Sequence, residues 1–283
     1  MRTAILTIAA LTGFAANSLL CRAALAHGTI DPIAFTLVRL ASGAVLLAVL
    51  AVFTPSPEGA GRKSGSWTGA LALFAYAILF SLAYVRLTTG TGALLLFGSV
   101  QATMLGVAIA RGERPRAGEW AGLAVALAGL AALVAPGVTA PDPLAALSMA
   151  LAGTAWGAYT LLGRVATRPL ATTAGNFVRA APLALALAIW AAFSTTTLRL
   201  TPSGVELAAA SGLVASGLGY TLWYAALPSL TAARAALLQL SVPVIAAAAG
   251  VLFLDEPPTL RLAACSAAIL GGIALAIAAR RPT

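Results

Sequence analysis

Charge is what this chain has least of. Only 9% of its 283 residues are charged while 60% are hydrophobic, and the mean hydropathy is +0.96. That balance excludes a water-soluble globule with an ordinary polar surface and makes lipid the solvent. Acidic residues are scarcer still. All eight of them, Asp31, Glu58, Glu113, Glu119, Asp142, Glu206, Asp255 and Glu256, fall in predicted loops or in the first turns of predicted helices. No carboxylate is therefore expected at membrane depth, which argues against proton-driven export of cationic drugs, a mechanism that wants a buried Asp or Glu to hold proton and substrate in turn. Cysteine is limited to Cys21 and Cys265, both in or near predicted helices. No disulfide framework is implied, and the thiols read as packing groups. The one histidine, His27, lies in a loop. A membrane-embedded enzyme would need a nucleophile, an acid–base pair or a metal cluster inside the bundle, and none is in sight, so neither metal nor cofactor is expected.

What fills the chain is apolar length. Ten stretches of roughly 20 residues are each long enough to cross about 30 Å of hydrocarbon as a helix. They are expected near Thr3–Ala24, Ile33–Phe53, Trp67–Val85, Gly92–Ala110, Gly118–Val134, Leu144–Gly163, Gly175–Phe193, Gly204–Ala226, Ala232–Leu254 and Thr259–Ala279. Proline and glycine clusters, such as 54–65 and 136–143, mark the connections, and no loop is long enough for a soluble domain. The fold class read from this is all-α and integral to the membrane.

The chain also repeats itself. Ser18-Leu19-Leu20-Cys21-Arg22 is answered 142 positions on by Thr160-Leu161-Leu162-Gly163-Arg164, and Ser99-Val100-Gln101 by Ser241-Val242-Pro243. Glu113-Arg114-Pro115 meets Asp255-Glu256-Pro257 at the same offset, while Arg39 and Arg179, Phe53 and Phe193, and Tyr84 and Tyr224 stand 140 apart. Two units follow, 1–136 and 143–283, joined by 137–142. Five segments per unit is an odd number, so the second copy enters the membrane from the opposite side; such inverted repeats around a central cavity are characteristic of transporters.

The positive charges are spread over short loops, which gives no footing for nucleic acid, but they are sided. With the amino terminus inside, Arg2, Arg62, Lys63, Arg111, Arg114, Arg116, Arg164, Arg168, Arg234, Arg280 and Arg281 are cytoplasmic and only Arg22, Arg86, Arg199 and Arg261 are outside. Eleven against four places both termini in the cytoplasm by the positive-inside rule. A rival reading takes Arg2, the first apolar run and Ala24-Leu25-Ala26 as a secretory signal. Cleavage there would delete the counterpart of the sixth helix, so the repeat favours retention.

Polar groups in the hydrocarbon are functional candidates by default. They are Asn17 on the first helix, Arg39 on the second, Gln101 on the fourth, Arg179 on the seventh and Gln239 on the ninth. Two readings stand for Arg39 and Arg179, expected near opposite faces: contact with a substrate carboxylate, or snorkelling to cap carbonyls. Among the aromatics, Trp67, Trp120 and Trp190 stand at helix ends as interfacial anchors. Trp156 lies deep in the sixth helix with Tyr159 on its face, beside Gly153 and Gly157, which permit close helix approach. Tyr76, Phe80 and Tyr84 form a stripe on the third helix, Tyr220, Trp223 and Tyr224 cluster on the eighth, and Phe97 is one turn from Gln101. Rings at helical spacing serve packing as readily as binding, but here they converge with amides, and apolar walls with a few polar groups suit a flat amphipathic solute. Pro182 and Pro243 interrupt the seventh and ninth helices and are candidate hinges. Gly118 and Gly122, with Gly271 and Gly272, mark the fifth and tenth helices as scaffold or dimer surface, so the chain is expected as a monomer or as a homodimer through those helices.

Asp31-Pro32 followed by Arg39, and Ser241-Val242-Pro243 leading to Leu254-Asp255-Glu256-Pro257 and Gly271-Gly272, resemble the repeated EamA-type pattern of the drug/metabolite transporter superfamily. The resemblance covers nearly the whole chain and is greatest to bacterial aromatic amino acid exporters of the YddG type. It implies a bacterial inner-membrane carrier with a basket of helices one to four and six to nine around a cavity, five and ten at the edge. It also implies a binding role for Trp156, and with less weight for Tyr76, Phe80 and Phe97. The expected function is export of amino acids and related small metabolites by alternating access. Asn17, Gln101 and Gln239 would bond the polar end of the solute, and facilitated diffusion is preferred to proton coupling. The alternative solutes are a nucleoside, a sugar derivative or a hydrophobic drug.

Overall fold

Short polar residues just ahead of apolar runs start most of the helices. Asp31 accepts from the Ile33 amide at 2.8 Å with Pro32 following, Ser66 accepts from Gly69 at 3.0 Å, and Asp142 accepts from Ala145 at 2.9 Å. Thr201, with Pro202 after it, and Thr259 do the same for Gly204 and Leu262, at 3.2 and 3.1 Å. Glu119 instead reaches back to the Arg116 amide at 2.8 Å. Each satisfies an amide that the helix leaves unpaired.

A computed structural model describes residues 2–54, 65–112, 116–137, 140–163, 166, 168–194, 199–226, 229–230, 238–239 and 241–279. The helices are α1 (Arg2–Ala26), α2 (Pro32–Phe53), α3 (Trp67–Tyr84), α4 (Thr89–Ala110), α5 (Ala117–Val134), α6 (Pro143–Gly163) and α7 (Pro169–Phe193). Then α8 (Pro202–Ala210) runs through a π-helical stretch, Ser211–Leu218, into α9 (Gly219–Ala226), followed by α10 (Ser241–Leu254) and α11 (Leu260–Ala279). Among the described residues the β pairing is one bridge, Ile30 to Leu200. Among the described residues nine helices, counting Pro202–Trp223 as one, are long and apolar enough to cross a membrane; α10 is a shorter apolar helix.

Two expectations need correction. The seventh helix begins at Pro169, not Gly175, because Thr173 is not a loop residue but a buried helical one; the buried Asn176 side chain, one turn on, accepts from the Ser66 amide at 2.8 Å and ties α7 to the start of α3. The eighth span is not one regular helix but slips into π register midway. Much of the ninth segment before Ser241, and Glu113-Arg114-Pro115, lie outside the described residues.

The outside of the bundle is apolar, with Phe53, Phe193 and Leu260 exposed by 81–86%, and Trp67, Trp120 and Trp190 stand at least half exposed at helix ends. An apolar outer surface with polar groups turned inward is the arrangement lipid selects. Small residues bring the helices together. On α5, Gly122 faces the Gly272 carbonyl and Ala276 of α11, and a Cβ on Gly272 would come within 2.6 Å of the Ala126 nitrogen. Gly153 likewise lets α6 approach the Leu96 carbonyl of α4, with only 2.6 Å to an added Cβ. Cys21 and Cys265 are buried on α1 and α11.

Candidate functional site

The close α4–α6 approach turns Trp156 into the middle of the bundle, where it joins a run of rings. Tyr84 meets Phe80 edge-on at 4.7 Å, Phe80 meets Tyr76 at 5.3 Å, and Tyr76 meets Trp156 at 4.7 Å. Trp156 stacks on Tyr220 at 5.3 Å with 19° between planes, and Tyr220 continues to Phe14 at 5.8 Å. Offset and edge-on contacts of this kind hold rings in fixed positions.

A cavity lies against this run. It is lined by Phe14, Asn17 and Ser18 of α1, Tyr76 and Phe80 of α3, Leu96 and Phe97 of α4, Trp156 of α6, Ala215 and Ser216 of the π stretch, Tyr220 of α9, and Gln239. Its space for water centres is about 30 Å³, enough for roughly two waters. An amino acid would enter only if the rings part.

Seven of the residues singled out from sequence meet here: Asn17, Tyr76, Phe80, Phe97, Trp156, Tyr220 and Gln239. Tyr159 is buried beside Trp156, ring to ring at 5.4 Å, without reaching the cavity lining. Gln101 is half-buried on α4 and does not line it. Arg179 is half-buried on α7, and its guanidinium donates to the Gly175 carbonyl at 2.7 Å, the capping behaviour of the second sequence reading. Pro182 sits within α7 and Pro243 near the start of α10, where it is buried. The side chain of Tyr224 lies outside the described residues. Phe14, Ser18 and Ser216 were not anticipated. The signals were faint: Phe14 precedes Asn17 by one turn, and Ser216 stands beside Gly217.

Arg39 is deep in the bundle rather than near a face. It is 1% exposed, donates from Nε to Ser216 Oγ at 3.3 Å and from Nη2 to the Tyr76 hydroxyl at 3.1 Å, and lies over the Tyr76 and Phe80 rings at 5.1 and 5.2 Å. Asn17 completes the network, donating to the Tyr76 hydroxyl at 3.2 Å and accepting from Ser211 Oγ at 2.6 Å. The π turn makes this possible, since Gly212 packs against the Arg39 carbonyl and Ser42, a contact no larger residue permits.

At one end of the bundle a single carboxylate gathers several segments. The Glu256 carboxylate accepts from the Thr89 amide at 2.8 and 2.9 Å, from Thr89 Oγ1 at 3.1 Å and from Arg22 Nε at 3.3 Å. Arg22 also donates to the Tyr84 and Val85 carbonyls, each at 3.0 Å. The tie joins the ends of α1 and α3 and the start of α4 to the loop after α10. At the same end the Ile30–Leu200 bridge pairs the α1–α2 and α7–α8 turns.

Helices able to span a bilayer, lipid-facing apolar walls and a polar-and-aromatic cavity at the centre define a multi-pass membrane protein of the solute-carrier kind. Residues 143–278 match the EamA-like transporter family. The chain is 30% identical over 243 residues to the uncharacterized transporter YwfM of Bacillus subtilis, covering 82% of this chain and 80% of that one. It is 53% identical over 279 residues to the uncharacterized protein PA1977 of Pseudomonas aeruginosa, covering 99% and 96%. A solved crystal structure at 22% identity superposes with a TM-score of 0.65 over 99% of both chains and shows a shared fold. The chain belongs to the EamA-like transporter family, within the drug/metabolite transporter superfamily.

Proposed function

We propose that this transporter exports amino acids and related small metabolites, aromatic and neutral hydrophobic ones favoured, from the cytoplasm across a bacterial inner membrane by alternating access. The observation that carries the proposal is the position of Trp156, stacked on Tyr220 and packed on Tyr76 at the wall of the central cavity. A planar ring can insert where rings already stack, at little cost in side-chain order. Asn17 and Gln239 on the same wall offer amides to the polar end of such a solute.

The sidedness of the Arg and Lys residues supports cytoplasmic termini. The tied end then faces outward. The family match over 143–278 coincides with the second of the two proposed inverted units. Export would require the Arg22–Glu256–Thr89 tie and the Ile30–Leu200 bridge to part as the cavity widens toward the outside, with Pro182 and Pro243 as bending points. Among the described residues the carboxylates within the candidate spans are Glu119 and Glu206, both in the first two turns of their helices rather than at mid-depth, which favours facilitated diffusion down the export gradient.

Counterflow in proteoliposomes with tryptophan, phenylalanine, threonine, a nucleoside and a quaternary amine tests this reading. Tryptophan and phenylalanine should lead the rank order. A nucleoside or the amine leading would overturn the amino acid reading, and a pH gradient driving uptake without a solute gradient would overturn facilitated diffusion.

A further inference from the structure

We propose that Arg39 is the carboxylate anchor of the central chamber, so that the transported solute is an organic carboxylate with an apolar or aromatic body. This rests on the chamber being the transport site and names the chemical class it takes.

The first argument is charge. A guanidinium stays protonated at any physiological pH, and burying it is costly unless an anion balances it. Among the described residues the ion pairs are Arg22 with Glu256 and Arg86 with Asp142. Arg39 has neither carboxylate; its hydrogen-bond partners are the neutral hydroxyls of Tyr76 and Ser216, and its Nη1 is buried with no hydrogen-bond partner. A fully buried cation with a donor left over is a site awaiting an anion.

The second argument is the direction of the hydrogen bonds. The Tyr76 oxygen accepts from both Asn17 and Arg39, which occupies its lone pairs and leaves its own proton to be donated elsewhere. The Ser216 oxygen accepts from Arg39 in the same way. Tyr76 and Ser216 both line the cavity, and Arg39 lies behind them without reaching the lining itself. Arg39 thus leaves each of these hydroxyls a proton to donate at the chamber wall and backs them with a positive charge. An acceptor is wanted there, and a cationic headgroup is repelled. One cation and two hydroxyls match a singly charged, planar carboxylate, whereas a doubly charged phosphate would call for more positive charge. The Trp156 and Tyr220 rings receive the apolar body.

The test uses the full chain in detergent, titrated with 3-phenylpropanoate, its isosteric amide and phenethylamine, and followed by tryptophan fluorescence. The carboxylate should bind at least tenfold more tightly than the amide, and phenethylamine more weakly than either. In Arg39→Gln the ratio of carboxylate to amide affinity should fall to within twofold, and Arg39→Lys should retain part of it. Should Arg39→Gln fail to fold, Ser216→Ala and Tyr76→Phe, which remove one donor each, must lower the preference severalfold. Equal binding of carboxylate and amide by the unaltered protein, no binding of the carboxylate, a preference surviving in Arg39→Gln, or saturation of the site by chloride alone overturns the anchor. Counterflow of phenylalanine separates the two proposals. If phenylalanine is inert while the Arg39-dependent preference holds, the amino acid reading falls and the anchor stands; if phenylalanine is carried and phenethylamine competes equally, the reverse is true.

Discussion

The Glu256 tie offers the sharpest perturbation, because it joins four segments through two side chains, Glu256 and Arg22. Glu256→Gln keeps the volume and one acceptor oxygen but removes the charge and the second acceptor. The carboxylate holds the Thr89 amide and hydroxyl and the Arg22 guanidinium, and the Glu256 and Arg22 side chains are only 10% and 18% exposed. Hydrogen bonds to a charged group contribute about 1.5–3 kcal/mol each, and Gln retains part of that. A net shift of about 1–3 kcal/mol toward the state with this end open follows, a population change of roughly 5–150-fold. The assay is labelling of Ser18→Cys, a cavity residue at 1% exposure, in a background carrying Cys21→Ala and Cys265→Ala. A membrane-impermeant maleimide applied to intact cells should react at least fivefold faster when Glu256→Gln is added, and in inverted vesicles no faster. Arg86→Gln is the control at the same end: its pair with Asp142 leaves Arg86 69% exposed, and exposed pairs contribute little. An unchanged rate in folded Glu256→Gln protein, or equal acceleration by Arg86→Gln, would refute the reasoning.

Trp156→Ala should lower amino acid counterflow at least tenfold with normal insertion, and Trp156→Phe, which keeps a ring against Tyr76 and Tyr220, should recover most of it; unchanged transport by Trp156→Ala removes this ring from the site. Gly122→Leu forces a side chain onto the Gly272 carbonyl and Ala276, so the melting temperature should fall by the equivalent of about 1–3 kcal/mol or the protein should fail to accumulate, as read by fluorescence size-exclusion after heating. Asp142 accepts from the Ala145 amide and from Arg86, and these contacts, the amide first, hold its carboxyl below the ordinary carboxylate range. Its contribution to stability is therefore present above the unfolded value, about 3.9, and disappears as pH falls through the lower folded value. Asp142→Asn should accordingly melt earlier than the unaltered chain at pH 6, and the gap should close only below about pH 3.9.

Local signals carried most of the fold. Asp31-Pro32 and Thr201-Pro202 announce helix starts because a cap and a proline act within one turn, and the structure uses both. The start of α7 was illegible for the opposite reason. Thr172 and Thr173 read as loop, yet they lie in a helix whose Asn176 is tied to Ser66, 110 residues away. The same distinction runs through the site. Trp156, Tyr76 and Phe80 were visible as deep rings at helical spacing. Phe14 carries no such mark, because what makes it a wall residue is Tyr220 on a distant helix. For Arg39, the sequence left open whether it capped carbonyls or faced a ligand, since periodicity along α2 does not reveal what lies opposite.

What lies opposite is the π turn, and its place explains how one chain combines a rigid frame with a site that must change shape. α5 and α11 meet through Gly122 and Gly272 with backbone against backbone. That contact has little room to slide, because close-packed surfaces shift only between discrete arrangements. Around the cavity, by contrast, α1, α2, α3 and the π stretch are joined by long side chains: Asn17 to Tyr76 and Ser211, Arg39 to Tyr76 and Ser216. Such bonds exchange partners by rotating side chains while the helices stay whole. The π register adds a backbone that already departs from the regular helical ladder where Ser211 and Ser216 bond across to α1 and α2. An anion arriving at Arg39 would take the Nη1 donor that has no protein partner together with the protons of Ser216 and Tyr76. Tyr76 would then be bonded at once to Asn17, Arg39 and the anion, which couples binding to the positions of α1, α2 and α3.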